Sequence, residues 1–146
     1  MYRTPYRNSV PDFPGGLQDL GRSVRLFIHF MIMGVYLNSK KPKRDGRIVT
    51  VGKAGDIPEG RGATIILGDN SEIAVFNIGG KLYGIENFCP HKGFPLADSK
   101  TYGNLVECGV HGWRFDIGSG ICITEPGCSI ETYDVFEENG EIRVRI

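Results

Sequence analysis

Cys89-Pro90-His91 and Cys108-Gly109-Val110-His111 place two of four cysteines beside two of three histidines in a chain of 146 residues. The spacings are C-x-H and C-x-x-H, and sixteen residues, 92–107, lie between the pairs. Thiolates and neutral imidazoles are ligands for zinc and for iron. Two sulfur and two nitrogen donors suit a tetrahedral structural zinc. They suit equally a [2Fe–2S] centre with the cysteines on one iron and the histidines on the other. A lone cysteine or histidine more often packs than ligates. Two mixed pairs in a chain with three histidines make coincidence a weak explanation. Cys122 and Cys128 match neither pair. Cys122 falls on an expected strand and reads as a small buried hydrophobe; Cys128 follows the Glu125-Pro126-Gly127 turn, and structural roles are expected for both.

To present both pairs to one centre, the chain must hold two loops face to face, and each pair lies at the end of an expected strand. From Ile48 onward short β-type runs alternate with turns. Strands are expected at 47–51, 64–67, 72–78, 81–86, 105–107, 113–116, 121–123, 132–136 and 141–146. Gly79-Gly80 and Asn139-Gly140 are hairpin turns, because these residues tolerate the positive φ of the primed two-residue turns. Glycine accounts for 21 residues and proline for eight, which fits a turn-rich chain. Short, closely spaced strands point to an all-β sandwich or small barrel.

The net charge is zero, but the zero averages two unlike parts. Residues 1–47 carry nine Lys/Arg and three Asp/Glu, whereas residues 48–146 carry eight and fourteen. A basic extension, residues 1–46, thus precedes an acidic body, residues 47–146. The body lacks the basic face that nucleic-acid binding needs. A hydrophobic content of 40% is too high for a chain disordered throughout. Four cysteines are too few for a disulfide scaffold. The extension contains a twelve-residue apolar run, 26–37, shorter than the ~18–20 residues of a membrane span and followed by no small-residue cleavage site. A mobile or loosely docked tail is the first reading of it. An interfacial anchor and a later translation start at Met33 are the others.

The flanks of the two pairs carry more information. The first continues Lys92-Gly93-Phe94-Pro95-Leu96, and the second Gly112-Trp113-Arg114-Phe115-Asp116. With these flanks, residues 47–146 resemble the Rieske [2Fe–2S] domain. Its pattern is C-x-H, about 16–17 residues, C-x-x-H, then an H-G-W-x-F-type continuation. The resemblance implies a Rieske-type β-sandwich or small barrel with a cluster-binding subdomain of two metal loops and a proline-containing loop. It implies that Cys89 and Cys108 bind one iron as thiolates, and that His91 and His111 bind the other near the surface. Pro126 and Gly127 match the loop that shields the cluster. Gly112 and Gly93 match positions where backbone approaches a sulfide. Trp113 and Phe115 stand as core anchors under the loops, a role that ordinary packing already explains.

The departures from the pattern also carry meaning. Rieske proteins of cytochrome bc complexes join the metal loops by a disulfide and place Ser and Tyr hydroxyls on the cluster. Phe94 and Val110 stand at the disulfide positions here, and Trp113 and Phe115 at the hydroxyl positions. Fewer hydrogen bonds stabilise the reduced state less, so a potential near the low end of roughly −150 to +300 mV is expected. No histidine follows His111, so the 2-His-1-carboxylate iron of an oxygenase subunit is not expected in this chain.

The resemblance therefore implies a ferredoxin-type one-electron carrier with a [2Fe–2S] cofactor and no bond-making chemistry of its own. Its implied partners are a donor reductase and an acceptor oxygenase or other oxidoreductase. No nucleic acid, membrane or small-molecule substrate is expected, and the cytoplasm is the expected compartment. Three other readings stand beside it: a small subunit of a nitrite reductase, a structural zinc module, and a carrier attached to a membrane through residues 24–44.

Overall fold

The computed structural model describes residues 41–146. The apolar run, its histidine and Met33 lie outside the described residues. Nine strands follow one another: β1 (Ile48–Lys53), β2 (Arg61–Ile66), β3 (Glu72–Ile78), β4 (Lys81–Glu86), β5 (Lys100–Tyr102), β6 (Leu105–Glu107), β7 (Arg114–Asp116), β8 (Thr132–Glu138) and β9 (Glu141–Arg145). Among the described residues there is no helix. Six strands form one sheet in the order β1-β9-β8-β4-β3-β2, and β5-β6-β7 form a second. Every pairing is antiparallel.

Side-chain alternation explains the architecture. Strand β3, sequence EIAVFNI, is buried on both faces over most of its length. Its Ile73 and Val75 face one core, together with Val51 of β1, Ile65 of β2, Tyr133 of β8 and Ile142 and Val144 of β9. Residues from both edge strands thus share one core, which requires the sheet to curl into a half-barrel. Ala74 and Phe76, on the opposite face of β3, join Ile85, Leu96, Val106, Phe115 and Ile117 in a second core beneath the small sheet. Each fully buried Phe or Ile of this kind contributes about 1.5–3 kcal/mol of transfer free energy. The second core also contains Cys89 and Cys108, so the candidate ligands are built onto it directly.

The expected hairpins form. Ile78 pairs with Lys81 around Gly79-Gly80, and Glu138 with Glu141 around Asn139-Gly140. All four turn residues have positive φ, as a type I′ turn requires. Two details differ from the sequence expectation. Strand β5 carries no signal in the sequence, because Lys-Thr-Tyr is polar and has an exposed face; its pairing with β6 supplies what local pattern does not. Residues 121–123 are not a regular strand. They make only isolated bridges, Phe115 with Cys122 and Ile121 with Ser129, in a short stretch confined between Gly120 and Pro126.

The segment just before β1 is attached to the body. Lys41 Nζ lies 3.2 Å from the buried carboxylate of Glu86, and Arg44 Nε lies 3.2 Å from Glu131. The Arg44 guanidinium also sits 4.5 Å over the Tyr133 ring.

Candidate metal centre

The two Cys/His loops share one construction. The first leaves the end of β4, and the second connects β6 to β7. In the first, Cys89 N donates to Phe94 O at 2.9 Å and Gly93 N to Cys89 O at 2.7 Å. In the second, Cys108 N donates to Trp113 O at 2.8 Å and Gly112 N to Cys108 O at 3.0 Å. Each loop thus closes on the fifth residue after its cysteine and turns on a glycine at the fourth. Gly93 and Gly112 have φ of 71° and 70°, a left-handed conformation that side chains other than glycine adopt at a cost. A Cβ on Gly112 would meet no protein atom within 4 Å, so conformation is the protein's own reason for glycine there.

The base of the first loop is closed by Asn87, which is 1% exposed. Leu96 N donates to its backbone oxygen at 2.7 Å, and Ala97 N to its Oδ1 at 3.0 Å. Its Nδ2 reaches Thr64 Oγ1 and Glu72 Oε2, both at 3.3 Å. Sequence reasoning did not single out Asn87. The available signal was an amide side chain two positions before a Cys/His pair, inside a run that is otherwise core.

The loops meet through Phe94, whose ring packs on Gly109: a Cβ there would lie 3.2 Å from Phe94 Cε1. An aromatic contact therefore joins the loops where the bc-complex proteins use a disulfide. Val110, at the other disulfide position, is exposed.

The structure places Cys89 and Cys108 in one core cluster and His91 in ring contact with His111. Both cysteines are buried. His91 is half-buried and His111 exposed. The imidazoles meet edge to face, with centroids 4.2 Å apart and planes at 82°. Trp113 stacks on His91 at 4.6 Å and 18°. The indole is thus half-buried against a candidate ligand rather than wholly beneath the loops, whereas Phe115 is fully buried in the core.

The electrostatics fit a metal site. Burial pushes the Cys89 thiol up to about 12, and the neighbouring Cys108 thiol adds to the shift. A thiolate there needs a strong cationic partner. Partial desolvation, then the His91 and Lys92 charges, lower His111, which favours the neutral ring that a ligand requires. The Nδ1 of His91 is buried and has no hydrogen-bond partner. Such an atom costs about 1–3 kcal/mol unless something else meets its polarity, and an iron would do so. Among the described residues, no three His, Cys, Asp or Glu side chains form a group able to hold one metal ion. Two thiols and two imidazoles are the donor types that a [2Fe–2S] centre with mixed ligation takes.

Pro126 and Gly127 sit in an exposed turn. That turn is tied to the strand after the second loop, since Ile123 N donates to Arg114 O at 2.8 Å and Arg114 N to Thr124 Oγ1 at 3.0 Å. Cys122 is buried and Cys128 partly so, both against the core that holds Cys89.

Comparison with known proteins agrees with this geometry. The family model of the Rieske [2Fe-2S] domain matches residues 47–134. The ferredoxin component of the naphthalene 1,2-dioxygenase/salicylate 5-hydroxylase systems of Ralstonia sp is 32% identical over 92 residues, covering 62% of this chain and 88% of that one. The structure of a Sphingomonas yanoikuyae B1 ferredoxin superimposes with a TM-score of 0.63 at 26% identity, covering 68% of this chain and 99% of the other. An NADH-dependent nitrite reductase small subunit from Mycobacterium tuberculosis shares the fold with a TM-score of 0.65 at 22% identity, covering 70% of this chain and 96% of that one.

Proposed function

The chain belongs to the Rieske [2Fe-2S] domain family, and on that premise we propose that it is a ferredoxin that carries one electron from a reductase to an oxygenase. The observation that carries this reading is the pair of like-built loops, which carry two buried cysteines and two imidazoles in ring contact. When bound, a [2Fe–2S] cluster supplies a one-electron couple. Cys89 and Cys108 would hold it on the core side, where burial keeps water from the thiolates. His91 and His111 would hold it on the outer side, where the exposed His111 edge gives a short route to a docked partner. Trp113 fixes the plane of the His91 ring. Gly93, Gly112, Pro126 and Gly127 form the backbone that surrounds the site.

The working unit is residues 47–146, and residues 1–46 are an extension without assigned chemistry. The excess of carboxylates in 48–146 suits a basic partner surface and predicts transfer rates that fall with salt. Among the described residues no helix is long and apolar enough to cross a membrane. We assign the chain to the cytoplasm, working without a small-molecule substrate.

Visible absorption and EPR of the purified protein test the reading. A red-brown protein that gains an EPR signal on reduction is expected; a colourless protein containing stoichiometric zinc overturns it. Redox titration should give a midpoint toward the low end of the Rieske range, and a value above about +100 mV would contradict the hydrogen-bond argument. The fold shared with the nitrite reductase small subunit supports a second reading, a fixed subunit of a larger reductase. Stable co-purification with a large sirohaem or flavin subunit would favour that reading over a free carrier.

A further inference from the structure

Cys122 and Cys128 have no place in the four-ligand site, yet they face each other. Cys122 N donates to Cys128 O at 3.1 Å, and Ile130 N donates to Gly120 O at 2.8 Å. Between these bonds Ile121 bridges Ser129 in antiparallel register. The register sets residues 122 and 128 directly opposite one another, with side chains on the same face. Both pack against the same core. Directly opposed residues in a hydrogen-bonded antiparallel pair have Cα atoms about 5.5 Å apart, which lies in the range a disulfide prefers. Between them the chain makes the turn that carries Pro126 and Gly127.

We propose that Cys122 and Cys128 are a dithiol that closes to a disulfide, and so form an oxidation site that latches the base of the turn beside the metal loops. The oxidant is a small-molecule disulfide such as oxidised glutathione. The Cys128 sulfur, the more exposed of the two, attacks it, forms a mixed disulfide and releases one thiol. The Cys122 sulfur then attacks Cys128 and releases the second. Two S–H bonds and the oxidant's S–S bond break, one protein S–S bond forms, and the two electrons and two protons leave on two small thiols. Burial raises the Cys128 thiol above its usual value, and Cys122 and Glu125 add to the shift. The pair therefore reacts slowly, and the closed form, whose leaving thiols are poor, resists reduction.

The inference concerns thiols outside the proposed ligand set, so it can fail while the cluster assignment stands. Purified protein with its cluster is incubated with excess oxidised glutathione, quenched in acid, unfolded, alkylated with N-ethylmaleimide and digested with trypsin. No Lys or Arg lies between Arg114 and Arg143, so Cys122 and Cys128 share the peptide 115–143. In the reduced control that peptide should carry two alkyl groups. After oxidation it should carry none and weigh two hydrogens less, while Cys89 and Cys108 remain alkylated. Cys122→Ser should instead retain a stable glutathione adduct on Cys128. Two alkyl groups on 115–143 after oxidation, a persistent glutathione adduct in the wild type, or a cross-link from Cys128 to Cys89 would each overturn the proposal.

Discussion

Asn87→Ala tests whether the first metal loop is held by its base. The substitution removes the acceptor of the Ala97 N–H, whose residue is 3% exposed, and leaves that buried donor unpaired. The cost of such a donor is about 1–3 kcal/mol. It also removes a bond to the buried Glu72 carboxylate, and hydrogen bonds to charged groups are worth about 1.5–3 kcal/mol. The Thr64 contact sits on the same Nδ2 and is a smaller loss. Allowing for relaxation and water entry, about 3 kcal/mol is expected, a large share of the ~5–15 kcal/mol typical of a domain. In urea, with m of about 1–2 kcal/mol/M, the unfolding midpoint should fall by about 1.5–3 M. Loss of visible absorbance under anaerobic conditions reports the loop, and far-ultraviolet circular dichroism reports the sheets. Bleaching should move to lower urea in the variant, with Thr64→Val shifting it much less. If Asn87→Ala bleaches within 0.3 M of the wild type, the loop is held by its cysteines alone and the reasoning fails.

Other outcomes follow from the same geometry. Cys108→Ser should abolish the visible spectrum, whereas Cys122→Ser should leave it unchanged; a bleached Cys122→Ser protein would place that residue in the ligand set. His111→Cys should lower the midpoint potential in a redox titration or lose the cluster, because a third negative thiolate would replace a neutral ring. Lys41→Met should destabilise the fold by about 1 kcal/mol by urea titration, since the buried Glu86 loses its cation while Lys41 itself stays partly exposed. The double variant with Glu86→Gln should recover part of that loss. Burial raises the Tyr133 hydroxyl above its usual value; Glu131 adds to the shift and Arg44 opposes it. A group with a raised folded pKa contributes its full stability below the unfolded value near ~10 and loses it as pH rises further. The urea midpoint should therefore fall above pH ~10 more steeply in the wild type than in Tyr133→Phe.

The two Cys/His loops, as loops, and most strands are legible in the sequence, and the reasons are local. Strands β3, β4 and β6 alternate or run apolar between clear turn signals, and Cys/His pairs announce themselves by residue type. What is not legible there depends on partners distant along the chain. Asn87 matters because Thr64, Glu72 and Ala97 converge on it. Trp113 reads as packing until the fold lays His91 against it. Strand β5 has no periodicity of its own and exists through β6. The shared design of the two loops was present as a glycine four residues after each cysteine. The differing histidine positions obscured it.

Strand β3 has a consequence for how the protein comes apart. Because its two faces are walls of different cores, neither the half-barrel nor the ligand-bearing half can melt while the other keeps its packing. A stable intermediate with intact metal loops on a molten barrel is therefore disfavoured. Fluctuations that release the metal must be either small openings of the loops or the loss of the whole fold. Backbone amides of β3 should accordingly be the last to exchange with solvent, and the lifetime of the centre should follow the slowest-opening part of the chain once the loops themselves are closed.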